Sequence, residues 1–394
     1  MREIDIWVGG FIFQIVNLFF LFRADKKPEP FPKEKVKKIL VIKFFGMGSI
    51  LLMSPMLKGI KALYPKAQVT LLTFKSNVEF CNLIEGIDRV LPLEEDNLFS
   101  FFRETLRYLF MMWIEKPSIV IDTEFFSNFT SLLSLISFAP VRVGYHLRQV
   151  SRGRHLTHKV LLNTHHHITY TIYHLVATLG AKFEDIDFSE LGLKKPDNEE
   201  VRSVYHKLKL KEGSPIVVIN PNASNLSYLR RWPREYFASL TSKLIQEYPE
   251  YTYIFVGSNN EFEFVQQIVE NVKSPDIINS AGLFSIKEFC ALLSKANLII
   301  TNDSLPVHIA SAYKTNVVVF FGPETPRFYG PLNSNAISFF EDIPCSPCLI
   351  AFDNKAENHC QDNICLQKIT PEKAFSKIKQ LQFLVQKNEV NLKI

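Results

Sequence analysis

The stretch Asn297-Leu-Ile-Ile-Thr-Asn302-Asp303-Ser304-Leu305-Pro306-Val307-His308-Ile309-Ala310 narrows the possible folds more than any other part of the chain. An apolar run ends in cap and turn residues, and Pro306 then opens a helix-compatible segment, so the stretch reads as strand, tight turn and helix. The same unit recurs. Apolar runs at Lys38–Phe45, Gln68–Thr73, Ser118–Asp122, Pro215–Asn220 and Tyr253–Val256 are separated by helical segments, one of them near 99–114. Alternating β and α units of this length build parallel, doubly wound sheets. At 394 residues, with 47% apolar and 22% charged residues, the chain exceeds one ordinary core and is expected to form two domains. The expected boundaries are 1–36 for an apolar helix and a Pro- and Lys-rich linker, 37–198 for a first domain and 199–394 for a second. Leu191 to Asn198 has the polar and Pro content of a connection.

Ligands on such sheets sit beyond the carboxyl ends of the strands, and the candidate chemistry gathers there. The turn at Asn302, Asp303, Ser304 and Leu305 exposes backbone amides beside a positive helix end, where a phosphate or pyrophosphate is a natural guest. Asp303, Ser304 and His308 would project at the same mouth. An ordinary N-cap is the plainer alternative. After the strand at 215–220, Ser224 lies in a small-residue turn, and Arg230 and Arg231 come next; two guanidiniums there can clamp a pyrophosphate. Asn259 and Glu261, after Gly257, are placed to meet a ribose or a base edge. In the first half, Gly46 and Gly48 permit close approach of a ligand, with Ser49 next to them. This is not a Walker loop, because no Gly-Lys-Ser/Thr is present after it, and Leu51 replaces the third glycine of the dinucleotide fingerprint, which argues against a nicotinamide oxidoreductase. Asp122 and Glu124 close the strand at 118–122. Arg148 and Arg152 belong to a basic stretch that could meet an anionic acceptor or simply be a solvated loop.

The run Ile6–Phe22 is seventeen residues of almost unbroken apolar character, about 25 Å as a helix and short of a ~30 Å hydrocarbon core. It reads as a peripheral or monotopic anchor, a buried packing helix or a span. It lacks the basic start and cleavage site of a signal peptide. The basic residues from Arg23 to Lys38 are expected to hold the domain after them on the cytoplasmic side. A net charge of +5 is too mild and dispersed to argue for nucleic acid, and suits an anionic sugar nucleotide or an anionic membrane face. Cys345 and Cys348, then Cys360 and Cys365, have a spacing open to zinc, a disulfide or thiols on a loop. His165-His166-His167 reads as the polar opening of a helix, and Pro371 to Gln386 as an amphipathic helix crossing back onto the first domain.

Taken in order, Ile39-Leu-Val-Ile-Lys with the Gly48 turn and Ser54-Pro55, Asn220-Pro221 with Arg231-Trp232-Pro233, Val256-Gly257, Thr301-Asn302-Asp303-Ser304 with His308, and Phe321-Gly322-Pro323 resemble glycosyltransferase family 9, the ADP-heptose:lipopolysaccharide heptosyltransferases. Cys345-Ser-Pro-Cys348 is also similar to a segment of that family. The resemblance spans roughly 38–370. It implies a GT-B architecture, two Rossmann-like domains facing a cleft, with acceptor on the first and nucleotide sugar on the second. It further implies donor contacts at Ser224, Arg230, Asp303, Ser304 and Leu305, an adenosine contact near Asn259 and Glu261, and no metal or other cofactor. The implied partners are a nucleotide-sugar donor, a lipid-linked saccharide acceptor and the cytoplasmic membrane surface. One departure stands out. Where family members often have Gly-Asp, with the acid as the apparent base, this chain has Gly48-Ser49, and a serine cannot deprotonate a hydroxyl at neutral pH unaided. Glu124, then Asp122, are the expected substitutes; a non-catalytic sugar-nucleotide-binding scaffold is the alternative.

Overall fold

The computed structural model describes residues 31–95, 97–146, 153–223, 228–272, 274–349, 360 and 362–384, together with Asp5, Gly9, Gly10, Phe11 and Ile15. The chain divides into two compact units, Met1–Gly192 and Leu193–Ile394. Most of the run Ile6–Phe22 lies outside the described residues. Among those described, no helix is long and apolar enough to cross a membrane.

In the first unit, β1 (Lys38–Ile42), β2 (Gln68–Phe74), β3 (Arg89–Leu93), β4 (Ile119–Asp122), β5 (Val141–Tyr145) and β6 (His158–Val160) form a parallel sheet in the order β3-β2-β1-β4-β5-β6. In the second, β7 (Ile216–Asn220), β8 (Thr252–Phe255), β9 (Ile277–Asn279), β10 (Leu298–Asn302), β11 (Val317–Phe320) and β12 (Ala336–Phe339) repeat that pattern as β12-β11-β10-β7-β8-β9. The central strands carry uninterrupted apolar sequence because both faces are covered; Ile39 to Ile42 and Ile216 to Ile219 are all buried. Each sheet reverses its winding once, between β1 and β4 and between β7 and β10. Helices diverge there to opposite faces and leave a crevice at the carboxyl ends.

The second core is built on Trp232, which stacks on Phe320 at 4.0 Å between ring centroids and donates its indole N–H to the Ile369 carbonyl at 2.7 Å. The C-terminal helix runs Pro371–Gln380 and buries Ala374 and Ile378 in the second core, while Lys379 and Glu372 pair with Glu247 and Lys243 of the helix Arg234–Glu247. Its apolar stripe is satisfied inside its own unit. The helix Ile168–Ala177 starts as its sequence suggested, with the His167 ring accepting from the Thr169 amide.

Candidate functional site

The crevice of the second unit is shaped by asparagines. Register places Thr301 of β10 beside Asn220 of β7. The Asn220 amide donates to Thr301 Oγ1 at 3.0 Å and to Ser304 Oγ at 2.9 Å. Asn302 donates to the Pro221 carbonyl at 2.8 Å and accepts from the Trp232 amide at 2.9 Å. Asn222 donates to the Val256 carbonyl at 3.0 Å. A Cβ on Gly257 would lie 2.8 Å from that Asn222 nitrogen, so the approach requires glycine. These neutral amides lock three strand ends together without placing a charge in the interior.

Ser304 then precedes the helix Leu305–Tyr313 at the N-cap position, yet its side chain makes no capping bond. Its hydroxyl turns back to the Asn302 carbonyl, to Thr301 and to Asn220. Pro306 stands in the first turn, where a missing N–H costs nothing. Ser304 is therefore not an ordinary capping serine: only its carbonyl reaches the helix start, accepting the Val307 amide at 3.1 Å.

Two arginines stand beside this turn. Arg230 Nη2 lies 3.0 Å from Asp303 Oδ2 and also donates to the Asp303 carbonyl. Arg231 donates to the Ala223 carbonyl at 3.3 Å, lies 3.6 Å from Glu261 Oε1, and is sandwiched over the Tyr228 and Phe264 rings at 4.7 and 4.8 Å. The structure thus brings Arg230, Arg231, Glu261, Asn302, Asp303, Ser304 and Leu305 to one strand-end cluster. Asn259 is exposed one residue past Ser258, whose amide and hydroxyl bond Glu261. His308 is buried rather than standing open at the mouth, because the helix is covered all round from Pro306 to Ser311. Ser224 lies outside the described residues.

The crevice of the first unit is filled by a charged clamp. Lys43, just past β1, is buried and places Nζ 3.0 Å from Glu124 Oε1. The same oxygen accepts the amides of Phe44 and Phe45, both at 2.9 Å. Asn77 donates to the Phe44 carbonyl at 2.8 Å, fixing the loop from its other side. Asp122 is buried too, accepting Thr130 Oγ1 and the Glu124 amide, both at 3.1 Å. Glu124 has no exposure at all. Beyond the clamp, Gly46 has φ +80°, a conformation only glycine adopts without strain, and Met47, Gly48 and Ser49 stand at the start of Met47–Leu52, with Gly48 and Ser49 half-buried. Lys43 was missed from the sequence. Its signal was there: a lysine between Ile42 and Phe44, inside a run buried on both faces, needs a partner.

Residues 127–358 match the family model described as glycosyltransferase family 9 (heptosyltransferase). The chain belongs to that family. It is 32% identical over 179 residues to lipooligosaccharide heptosyltransferase 2 of Campylobacter jejuni, covering 44% of this chain and 54% of that protein. The chain thus spans about half the length of this curated relative. Among solved structures, the glycosyltransferase family 9 protein of Veillonella parvula matches with a TM-score of 0.73 at 21% identity, over 90% of this chain and 99% of that one. Escherichia coli ADP-heptose lps heptosyltransferase II matches at 0.70 and 20%, over 87% and 98%. Two parallel sheets flanked by helices are the GT-B-like fold of these family 9 proteins. Of the basic stretch read from sequence, Arg148 and Arg152 lie outside the described residues. No disulfide joins the described cysteines. Cys345, Cys348 and Cys360 are exposed, while burial, with smaller contributions from the other three thiols, pushes the Cys365 thiol up to about 11. Among the described residues no group of three or more His, Cys, Asp or Glu is arranged to hold a metal ion. Cys365 instead packs against Gly322, where a Cβ would meet its sulfur at 2.9 Å.

Proposed function

We propose that this family 9 protein is an inverting glycosyltransferase, moving a sugar, heptose, from an ADP-linked donor to a lipid-linked saccharide on the cytoplasmic face of a membrane. The observation that carries the reading is the start of the helix Leu305–Tyr313, left uncapped by Ser304 and flanked by Arg230 and Arg231. A diphosphate seated there meets main-chain amides, the helix dipole and guanidinium donors, which favour the charge that develops as the bond to the anomeric carbon breaks. Glu261, and Asn259 beyond it, supply acceptors and donors for the nucleoside. The acceptor hydroxyl belongs to the first unit, near Gly46 to Ser49, with Arg148 and Arg152 as cationic contacts for an anionic acceptor. In the displacement the hydroxyl oxygen bonds the anomeric carbon, the diphosphate leaves with the bonding pair, and the hydroxyl proton passes to a base. Glu124 and Asp122 are better understood in this reading as residues that hold the loop carrying Ser49 than as that base.

This sequestration of both acids, with serine where family members often have aspartate, favours a second reading: a sugar-nucleotide-binding scaffold without turnover. Two measurements separate them. A thermal-shift series should show ADP-linked sugars stabilising the fold by about 2.7 kcal/mol at a hundredfold excess over their Kd, and UDP- or GDP-linked ones at the same concentration by less. Release of nucleoside diphosphate in the presence of membrane-extracted acceptor distinguishes transfer from binding alone. Equal shifts for all three nucleotides would remove the ADP assignment.

A further inference from the structure

The helix Leu98–Glu115 is apolar on both sides. Its inner face buries Tyr108 and Met112 and packs Phe101, Leu109 and Met111 against β1 to β4. On the opposite face Phe99, Phe102, Leu106, Phe110 and Trp113, spaced three or four residues apart and joined by Ile114, are between 51% and 74% exposed. A helix in water ordinarily presents charge on that face, and one that does not has another surface to meet. Arg103 and Arg107 border the stripe with side chains 58% and 67% exposed, tethered to Glu94 and Glu104 at 3.4–3.8 Å.

Both ends of the helix adjoin the N-terminal segment. At one end, Phe101 contacts Phe129 at 5.0 Å, and Asp5 accepts the Asn128 and Phe129 amides at 3.1 and 2.6 Å. Gly9 lies so close to Asn128 that a Cβ would come within 2.9 Å. From that docked position Phe11 and Ile15 are also exposed, one helical turn apart. At the other end, Lys38 pairs with Glu115 at 3.7 Å, the Lys35 carbonyl accepts from Ser118, and Lys33, Lys35, Lys37 and Lys116 are exposed.

We propose that the outer face of Leu98–Glu115 is a docking surface for an anionic lipid bilayer, on which the helix lies in the interfacial plane with Phe99, Phe102, Leu106, Phe110 and Trp113 below the headgroups. Charge complementarity selects this occupant. Arginines along one flank and lysines at the end suit phosphate headgroups, whereas a second copy would bring like charges together. Aromatic rings, with Trp113 among them, are the side chains that partition best at that depth. The surface is independent of any sugar chemistry.

The test uses the full chain carrying Trp7→Phe, in which Trp232 is buried and Trp113 alone reports on the surface. With vesicles of phosphatidylethanolamine and phosphatidylglycerol, Trp113 emission should shift to the blue and be quenched by brominated acyl chains, and pure phosphatidylcholine should give a weaker response. The variant Phe102→Ser/Phe110→Ser/Trp113→Ser, in a chain with the native tryptophan at position 7, should keep its melting temperature and bind the anionic vesicles about tenfold or more weakly in flotation. Unchanged flotation of the triple variant, or Trp113 emission indifferent to vesicles that the chain does bind, would overturn the proposal. So would loss of a dimer in the triple variant with vesicle binding intact, which assigns the face to self-association.

Discussion

The two crevices of this protein share strand order and position but are finished in opposite ways. Between β1 and β4 a lysine and a glutamate neutralise each other inside the fold, and the carboxylate also gathers two loop amides. Between β7 and β10 neutral asparagines hold the strand ends, Ser304 turns inward, and the positive helix start stands beside two arginines. One crevice seals a lysine and a glutamate in its interior, and the other pairs Arg230 with Asp303 and Arg231 with Glu261 while Ser304 leaves the nearby helix start without a side-chain cap. Topology supplies the crevice in both cases, but the side chains at the strand ends decide how its charge is paired and how deeply the pair is buried.

The largest effect expected from this contrast is on stability in the first unit. Replacing Glu124 by Leu leaves the Lys43 ammonium buried without its carboxylate and should cost about 3–5 kcal/mol in urea unfolding. Adding Lys43→Met should restore most of that loss; a double variant as unstable as the sum of the singles would show that the pair is no clamp. In the second unit the large effect should fall on binding. Arg230→Ala is expected to weaken nucleoside diphosphate affinity by roughly ten- to a hundredfold in calorimetry, through loss of a charge-assisted contact. A variant that unfolds as readily as Glu124→Leu while binding nucleotide normally would reverse the assignment of the two crevices.

Gly257→Ala should cost about 1–3 kcal/mol in thermal unfolding, because the new methyl collides with Asn222 and loosens the asparagine lock. Normal stability would show that this lock is dispensable. The smallest change is expected for Ser304→Ala, about 1 kcal/mol of stability with nucleotide affinity altered less than threefold, roughly a typical hydrogen bond's worth. Its hydroxyl is occupied within the fold, so a large loss of affinity would mean that it faces the ligand instead.

The sequence by itself determined the repeating β and α units, because strands covered on both faces must be apolar throughout and a helix start such as Ser285, with Glu288 three residues on, spells out its capping box. It also marked the helix start at Asn302 to Leu305, where the local order of turn residue and proline is sufficient. What only tertiary structure decided lies between residues distant in the chain. Lys43 and Glu124, Asn220 and Ser304, and Arg230 and Asp303 are separated by 81, 84 and 73 positions. No local pattern states which of these carboxylates is sealed by a partner and which hydroxyl turns inward, since burial and hydrogen bonding are set by neighbours that only the folded sheet brings together.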